Sequence, residues 1–595
     1  MKKYVLLLSV FSLFGYLSLQ AQQFDWLSIT GNTDYETIAS ITTDSAGNVI
    51  STGTFKGTVD FDPGPSTYNL TSKGQYWNMY IQKLDPNGNF LWAINFRMDG
   101  QSFIRPTGIK TGPLGTIYAV GSVTAQEGPA RVDFDPGPDT VYLATATRHN
   151  SFYLKLDTDG NYEWLKYLSY RNNGNQPGLP RTLGLVVDRS GSLIAHGEFT
   201  GGTIDFDPGP SSNTLTPGVY TTGFIQKLDA NGDFVWAGKI GGDDVNNPGR
   251  IAIDKDDNIL LTGRFAGTGD FDPGAGTITL SGSLEGNCYF VKLAPDGNAK
   301  WAFQFGDQGS TVGTAISSDL SGNVYLTGLF SYATIDADPG PRTRELDHLD
   351  FDVSGPTVFV IKLDSVGNYV WANRFGPETG PNFDPSGTAI SSEMLVDNQE
   401  NVYIVGSLID SINFDPDGRF DHYLASNGKR DVFVQKLDQR GDFVWATHLG
   451  GTEAMFVKEA AMSSPSQIHI AGSFDQTVDF DPGQGTQTAT ARGANDSFIL
   501  TLKGDFNVSN EPDLPQLHIE AFPNPSNGSF SVDVLSVTGN VRLDIIDAQG
   551  KTHFLNTLLG GTKHVLNLKH LTSGVYWMRI THENGSQYAG TLVIE

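Results

Sequence analysis

The chain has 595 residues, with 39 Lys and Arg against 66 Asp and Glu, a formal net charge of −27. That balance argues against nucleic acid as a partner, because phosphate binding needs clustered Lys and Arg. Hydrophobic residues at 38% and aromatics at 11% suit a folded β-rich protein rather than a disordered one, and a single cysteine, Cys288, excludes an internal disulfide and a Cys-based zinc site.

The N-terminus reads MKKYVLLLSVFSLFGYLSLQAQQ. Two lysines, an apolar run and a small residue predict a signal peptide over residues 1–21, cut after Ala21. The apolar run is short of the ~20 residues of a spanning helix. No cysteine follows it to carry a lipid anchor, and no later stretch is apolar enough to span.

From residue 22 the sequence repeats. Asp-Phe-Asp-Pro-Gly begins at Asp60 and recurs from Asp133, Asp205, Asp270, Asp336, Asn413 and Asp479, with the fifth copy reading DADPG and the sixth NFDPD. A second anchor, as in KLDPNGNFLW, ends at Trp92, Trp164, Trp236, Trp301, Trp371 and Trp445. Between 38 and 95, IASITTD turns at Ser-Ala-Gly into NVISTGTF; after the motif, MYIQKLD turns at Pro-Asn-Gly into FLWAINF. Period-two alternation with such turns predicts antiparallel hairpins, four strands per repeat. Gly88, Gly160, Gly232, Gly297, Gly367 and Gly441 stand where the second turn needs a positive φ.

Four-stranded units in series predict a β-propeller, whose usual blade takes ~40–45 residues. The tryptophans here are 65 to 74 residues apart, and the excess falls in the loops after the second and fourth strands. The seventh motif is followed by DSFILTLKGDF and no matching Trp strand, while FDWLSITG near the N-terminus carries Trp26 with no motif before it. The N-terminal strand is therefore expected to complete the seventh blade and close the ring. DLSGNVYLTG and VFVIKLDSVGNYVW resemble SBBP repeats, a seven-bladed β-propeller family; the resemblance covers 22–507 and implies a fold rather than a function.

Residues 508–516 read as a polar linker with Pro512 and Pro515. Alternating segments in 517–595 predict a small β-sandwich, so the fold class is all-β: a seven-bladed propeller plus this module. The module resembles the type A sorting domain of the type IX secretion system of Bacteroidetes. The features are Pro523, Asn524, Pro525, Gly528 and Phe530; Asp547, Gly550 and Lys551; Leu571, Gly574 and Tyr576. YAGTLVIE lacks the Lys that family usually carries near its last strand. The resemblance implies handling by type IX machinery, removal of residues 517–595, and a product released or held at the cell surface.

The motif has two readings. In the mechanical one the Phe packs inward, Pro-Gly turns and the second Asp binds nearby backbone N–H groups, which leaves the first Asp unexplained. In the other, Asp60, Asp62, Asp133, Asp135, Asp205, Asp207, Asp270, Asp272, Asp479 and Asp481 supply carboxylates to calcium, which wants ~6–8 oxygens. No cofactor is required, and calcium is the one candidate. In the predicted topology all motif copies share a face with long inter-blade loops such as FRMDGQSFIRPTG. Such loops are where binding resides. The expected function is binding of a macromolecular partner, glycan or protein, by a secreted or cell-surface propeller through that face. The alternatives are an extracellular carbohydrate-active enzyme using channel carboxylates and a structural surface-layer protein. No catalytic residue is assigned: no zinc-binding His pair, nucleophile elbow or phosphate loop is present.

Overall fold

The computed structural model describes residues 23–504, interrupted at 73–75, 146–148, 170–178, 243–245, 307–308, 333, 349–354, 378–387, 417–421, 484 and 494. It also describes 521–522, 529–533, 540–546, 551–559, 563–582 and 587–594. The segments read as signal peptide and linker lie outside these residues. The chain divides into two compact units, 1–508 and 509–595. No helix among the described residues is long and apolar enough to cross a membrane.

Within the first unit each repeat forms four antiparallel strands. In the first these are Thr37–Thr43, Val49–Phe55, Asn78–Leu84 and Phe90–Phe96, paired in that order. The same pairing recurs in the following repeats, down to Thr388–Val396, Val402–Ile409, Asp431–Leu437 and Phe443–Gly451. The seventh contributes Met455–Ser464, Gln467–Phe474 and Asp496–Lys503, and its fourth strand is Gln23–Thr30 from the N-terminus. Phe24 pairs with Leu502 and Trp26 with Thr501.

Neighbouring repeats pack face to face, so middle strands are covered on both sides. Val49–Phe55 and Asn78–Leu84 are buried throughout, where alternation predicts one wet face. Several of their polar side chains are partnered, while Ser51 Oγ and Asn78 Oδ1 lack a hydrogen-bond partner among the described residues. Thr52 Oγ1 donates to Tyr80 O at 2.8 Å, and Lys83 Nζ meets Asp44 at 2.9 Å in the first turn. The Lys of the KLD anchor is thus a buried cation tied to the aspartate of the preceding turn, as also in Lys227–Asp188 and Lys292–Asp254, both at 2.9 Å. Removing one partner would strand a buried charge.

The six turn glycines all have φ between 78° and 97°. Each lies against the tryptophan of the preceding repeat: Gly160 on Trp92, Gly232 on Trp164, Gly441 on Trp371. Gly88 lies on Trp26, whose Nε1 donates to Pro86 O at 3.0 Å. The first strands of successive repeats pack side by side, and Met455–Ser464 of the seventh packs on Thr37–Thr43 of the first.

Among its described residues the C-terminal unit holds two antiparallel sheets. One comprises Ala521–Phe522, Ser529–Asp533 and Lys563–Asn567. The other comprises Thr552–Leu559, Asn540–Ile546, Gly574–His582 and Gln587–Ile594. Leu566 from the first joins Leu543, Ile545, Met578 and Leu592 from the second in one core.

Candidate functional site

The motif builds an extra hairpin between second and third strands. In the first repeat Thr58–Asp60 pairs with Asn69–Thr71, and the motif forms the loop. This hairpin accounts for much of the repeat's added length. Phe61 is 1% exposed and packs on Phe55 and Tyr80 at centroid distances of 5.4 and 4.8 Å. Its counterparts Phe134, Phe206, Phe271, Ala337, Phe414 and Phe480 are equally buried.

The first aspartate now has a role. Asp60 Oδ1 accepts from Asp62 N at 3.1 Å and Tyr68 N at 2.8 Å, stapling the two ends of the loop. Asp133, Asp205, Asp270 and Asp479 accept likewise from the residues two and eight positions on. In the sixth copy the neutral Asn413 Oδ1 accepts from Asp415 N and His422 N, both at 3.1 Å. The second aspartates, Asp62, Asp135, Asp207, Asp272 and Asp481, each take the glycine N–H at 2.7 to 2.9 Å. Among the described residues no group of three or more His, Cys, Asp or Glu is placed to hold a metal ion.

Glu393 and Glu459 lie on the first strands of their repeats, the strands that pack side by side. Each of these strands has a register shift near its middle, between Ile38 and Ser40 in the first repeat and between Val457 and Glu459 in the seventh. Such bulges re-aim side chains. Here they bring Lys110, Arg250, Glu393 and Glu459 around a cavity of about 50 Å³. Lys110 Nζ binds Glu459 Oε1 at 2.7 Å, Ile41 N donates to Glu459 Oε2 at 3.1 Å, and Arg250 lies 3.6 Å from Glu393. Burial pushes both glutamates up. Lys110 and Arg250 outweigh it at Glu459, which lies below the usual range, while Glu393 stays above it. His196, in the same cavity, is driven down to about 3 by burial and by Arg250. A cavity of that size has room for a few waters but not for a sugar ring.

A larger cleft of about 570 Å³ opens at the strand ends from which the first motif hairpin emerges. Tyr35, just before the first strand, and Trp77, just before the third, meet edge to face at 5.7 Å and 75°. Tyr35 is 43% exposed and Trp77 half-buried. The second repeat adds Phe103 and Arg105, with the guanidinium 5.9 Å from the Phe103 ring, and the seventh adds Lys458, the residue in its bulge. The volume is that of a ligand site. Sequence reasoning singled out none of these side chains; Phe103 and Arg105 lie in the stretch FRMDGQSFIRPTG that it read as a long inter-blade loop, whereas the structure makes them part of the strand Met98–Thr111. One signal was available: of nine tryptophans, seven fill the repeat column and Trp577 lies in the C-terminal module, which leaves Trp77 unaccounted for.

In the C-terminal module Lys551 is exposed, Gly574 opens a strand, and Tyr576 is 4% exposed with its hydroxyl donating to Thr572 O at 2.9 Å. Pro523, Asn524, Pro525, Gly528, Asp547 and Gly550 lie outside the described residues.

Comparison with known proteins adds three findings. Residues 520–595 match the secretion system C-terminal sorting domain. The repeats are similar to an uncharacterized WD repeat-containing protein of Acanthamoeba polyphaga mimivirus, 24% identical over 484 residues, 70% of this chain. This chain spans 33% of that relative's length. A solved eukaryotic initiation factor matches over 76% of this chain and 89% of its own, at 8% identity and a TM-score of 0.28, too loose to bear on the fold. The chain is therefore all-β and repetitive, and carries a tail that marks it for type IX export to the cell surface or the medium.

Proposed function

We propose that this protein is an exported seven-bladed β-propeller that binds an extracellular macromolecule, glycan or protein, at the motif-bearing end of its repeats. Closure of the ring by Gln23–Thr30 is supported by its pairing with Asp496–Lys503 and by Trp26 filling the tryptophan place against Gly88. The resemblance to SBBP repeats fits that arrangement. The signal peptide and the sorting tail fit a two-step route out of a Bacteroidetes cell, with type IX machinery as the partner of residues 517–595. The motif aspartates accept hydrogen bonds within a turn, a role Asn413 fills without charge, which supports the turn reading of the hairpins over the calcium one.

The cleft lined by Tyr35, Trp77 and Phe103 carries the binding reading, because large aromatic rings left open to solvent mark contact sites. The channel glutamates do not support glycoside cleavage: Glu459 is ion-paired, Glu393 faces Arg250, and the space between them admits no substrate. The test is retention of the purified chain on cell-envelope and exopolysaccharide fractions, compared with the Tyr35→Ala/Trp77→Ala variant. Retention lost in the variant is the expected result; equal retention would refute the cleft as the site.

A further inference from the structure

Resting on the reading that the cleft is the binding site, we infer that its ligand is an acidic oligosaccharide, a sugar chain bearing carboxylate or sulfate groups. The first reason is charge. In a chain of net −27, the described lining of the cleft holds two cations, Arg105 and Lys458, and no acid. Both cations are exposed, and neither has an ion-pair partner among the described residues. Of the nearby acids, Asp34 pairs with Lys56 at 3.4 Å, Glu459 turns inward to Lys110 at 2.7 Å, and Glu36 is fully buried and does not line the cleft. At physiological salt the screening length is about 8 Å, so the local pair of cations governs a ligand in the cleft rather than the distant acid excess.

The second reason is shape. Tyr35 and Trp77 stand nearly perpendicular, and Phe103 adds a third ring from the next repeat. Ring faces suit a ligand with a flat C–H face and hydroxyls at its edges, which is the surface of a pyranose. Arg105, beside Phe103, then offers a planar fork to a carboxylate or sulfate at the rim of the stack. The lining comes from the first, second and seventh repeats, with Leu183 added by the third, so the cleft exists once and not seven times.

Calorimetric titration of the full chain tests this, with four probes: oligogalacturonate for carboxylate, chondroitin sulfate oligosaccharide for sulfate, cello-oligosaccharide as the neutral sugar, and poly-glutamate as an anion that is not a sugar. At least one acidic sugar is expected to bind, at least about ten-fold tighter than the neutral sugar and poly-glutamate. Raising salt from about 50 to 300 mM should weaken it several-fold. Arg105→Gln/Lys458→Gln should weaken it about ten-fold, with a melting temperature unchanged to within ~2 °C. Comparable binding of the neutral sugar or of poly-glutamate, or no binding of either acidic sugar, overturns the inference. If envelope retention depends on the cleft yet neither acidic sugar competes for it, the ligand class is wrong and the site stands. If retention ignores the cleft, both readings fall.

Discussion

The motif hairpins and the aromatic cleft lie at the same ends of the first repeat's strands, yet they are built on opposite terms. The hairpin is written seven times, its phenylalanine (alanine in the fifth copy) is buried, and its first Asp, or Asn in the sixth, faces the chain's own N–H groups. The cleft is written once, with partly open rings and cations that have no acid beside them. Repetition here marks what holds each sheet together, and the exceptions to it mark what the molecule shows to others.

The comparison breaks most visibly at the buried ring. Phe206→Ala should cost about 3–5 kcal/mol in a urea melt, since the side chain is fully buried against Phe199 and Phe224. Ligand affinity of the folded fraction should not change.

Glu36, the residue after Tyr35, is fully buried with one carboxylate oxygen unpartnered. Burial, with Asp496 and Asp34 adding, raises it to about 7. The unfolded chain therefore loses this proton near pH 4.5 and the folded chain only near 7, so Glu36 subtracts stability as pH rises through that window. Glu36→Gln should melt higher than the parent at pH 8 by up to about 3 kcal/mol, a gap that shrinks toward pH 5. A gap independent of pH would remove the claim.

Asp205→Ala should cost about 1–3 kcal/mol by stranding two N–H groups of its loop. Asp205→Asn should stay within about 0.5 kcal/mol, because Asn413 already does the same work. A large loss in the Asn variant, or a rise in melting temperature with added calcium, would return the motif to metal binding. Trp77→Ala should shift stability least, by under about 1 kcal/mol, while removing the wall of the cleft; a collapse of the fold would make Trp77 part of the frame.

The sequence made the frame readable because each of its parts recurs. The Trp column predicted the place of Trp26 beside the seventh repeat, and the turn glycines adopt the positive φ their spacing requires. It left three things unread. The lysine of KLD alternates like a surface residue, and only packing on both faces reveals it as buried. The first motif aspartate needed a partner eight residues away, beyond the reach of turn rules. The cleft draws on Tyr35, Phe103 and Lys458, which no spacing rule connects until three repeats converge.

The pairing of Gln23 with Lys503 joins residues 480 positions apart. The first strand to emerge during synthesis or transport thus has no partner until nearly everything else has followed. Loop closure over such a span is slow, so the leading segment waits, an unpaired edge open to proteases and to neighbouring chains. A clipped or tagged N-terminus would leave the seventh sheet a strand short, and the sorting tail would still be in place to address the defective product for delivery.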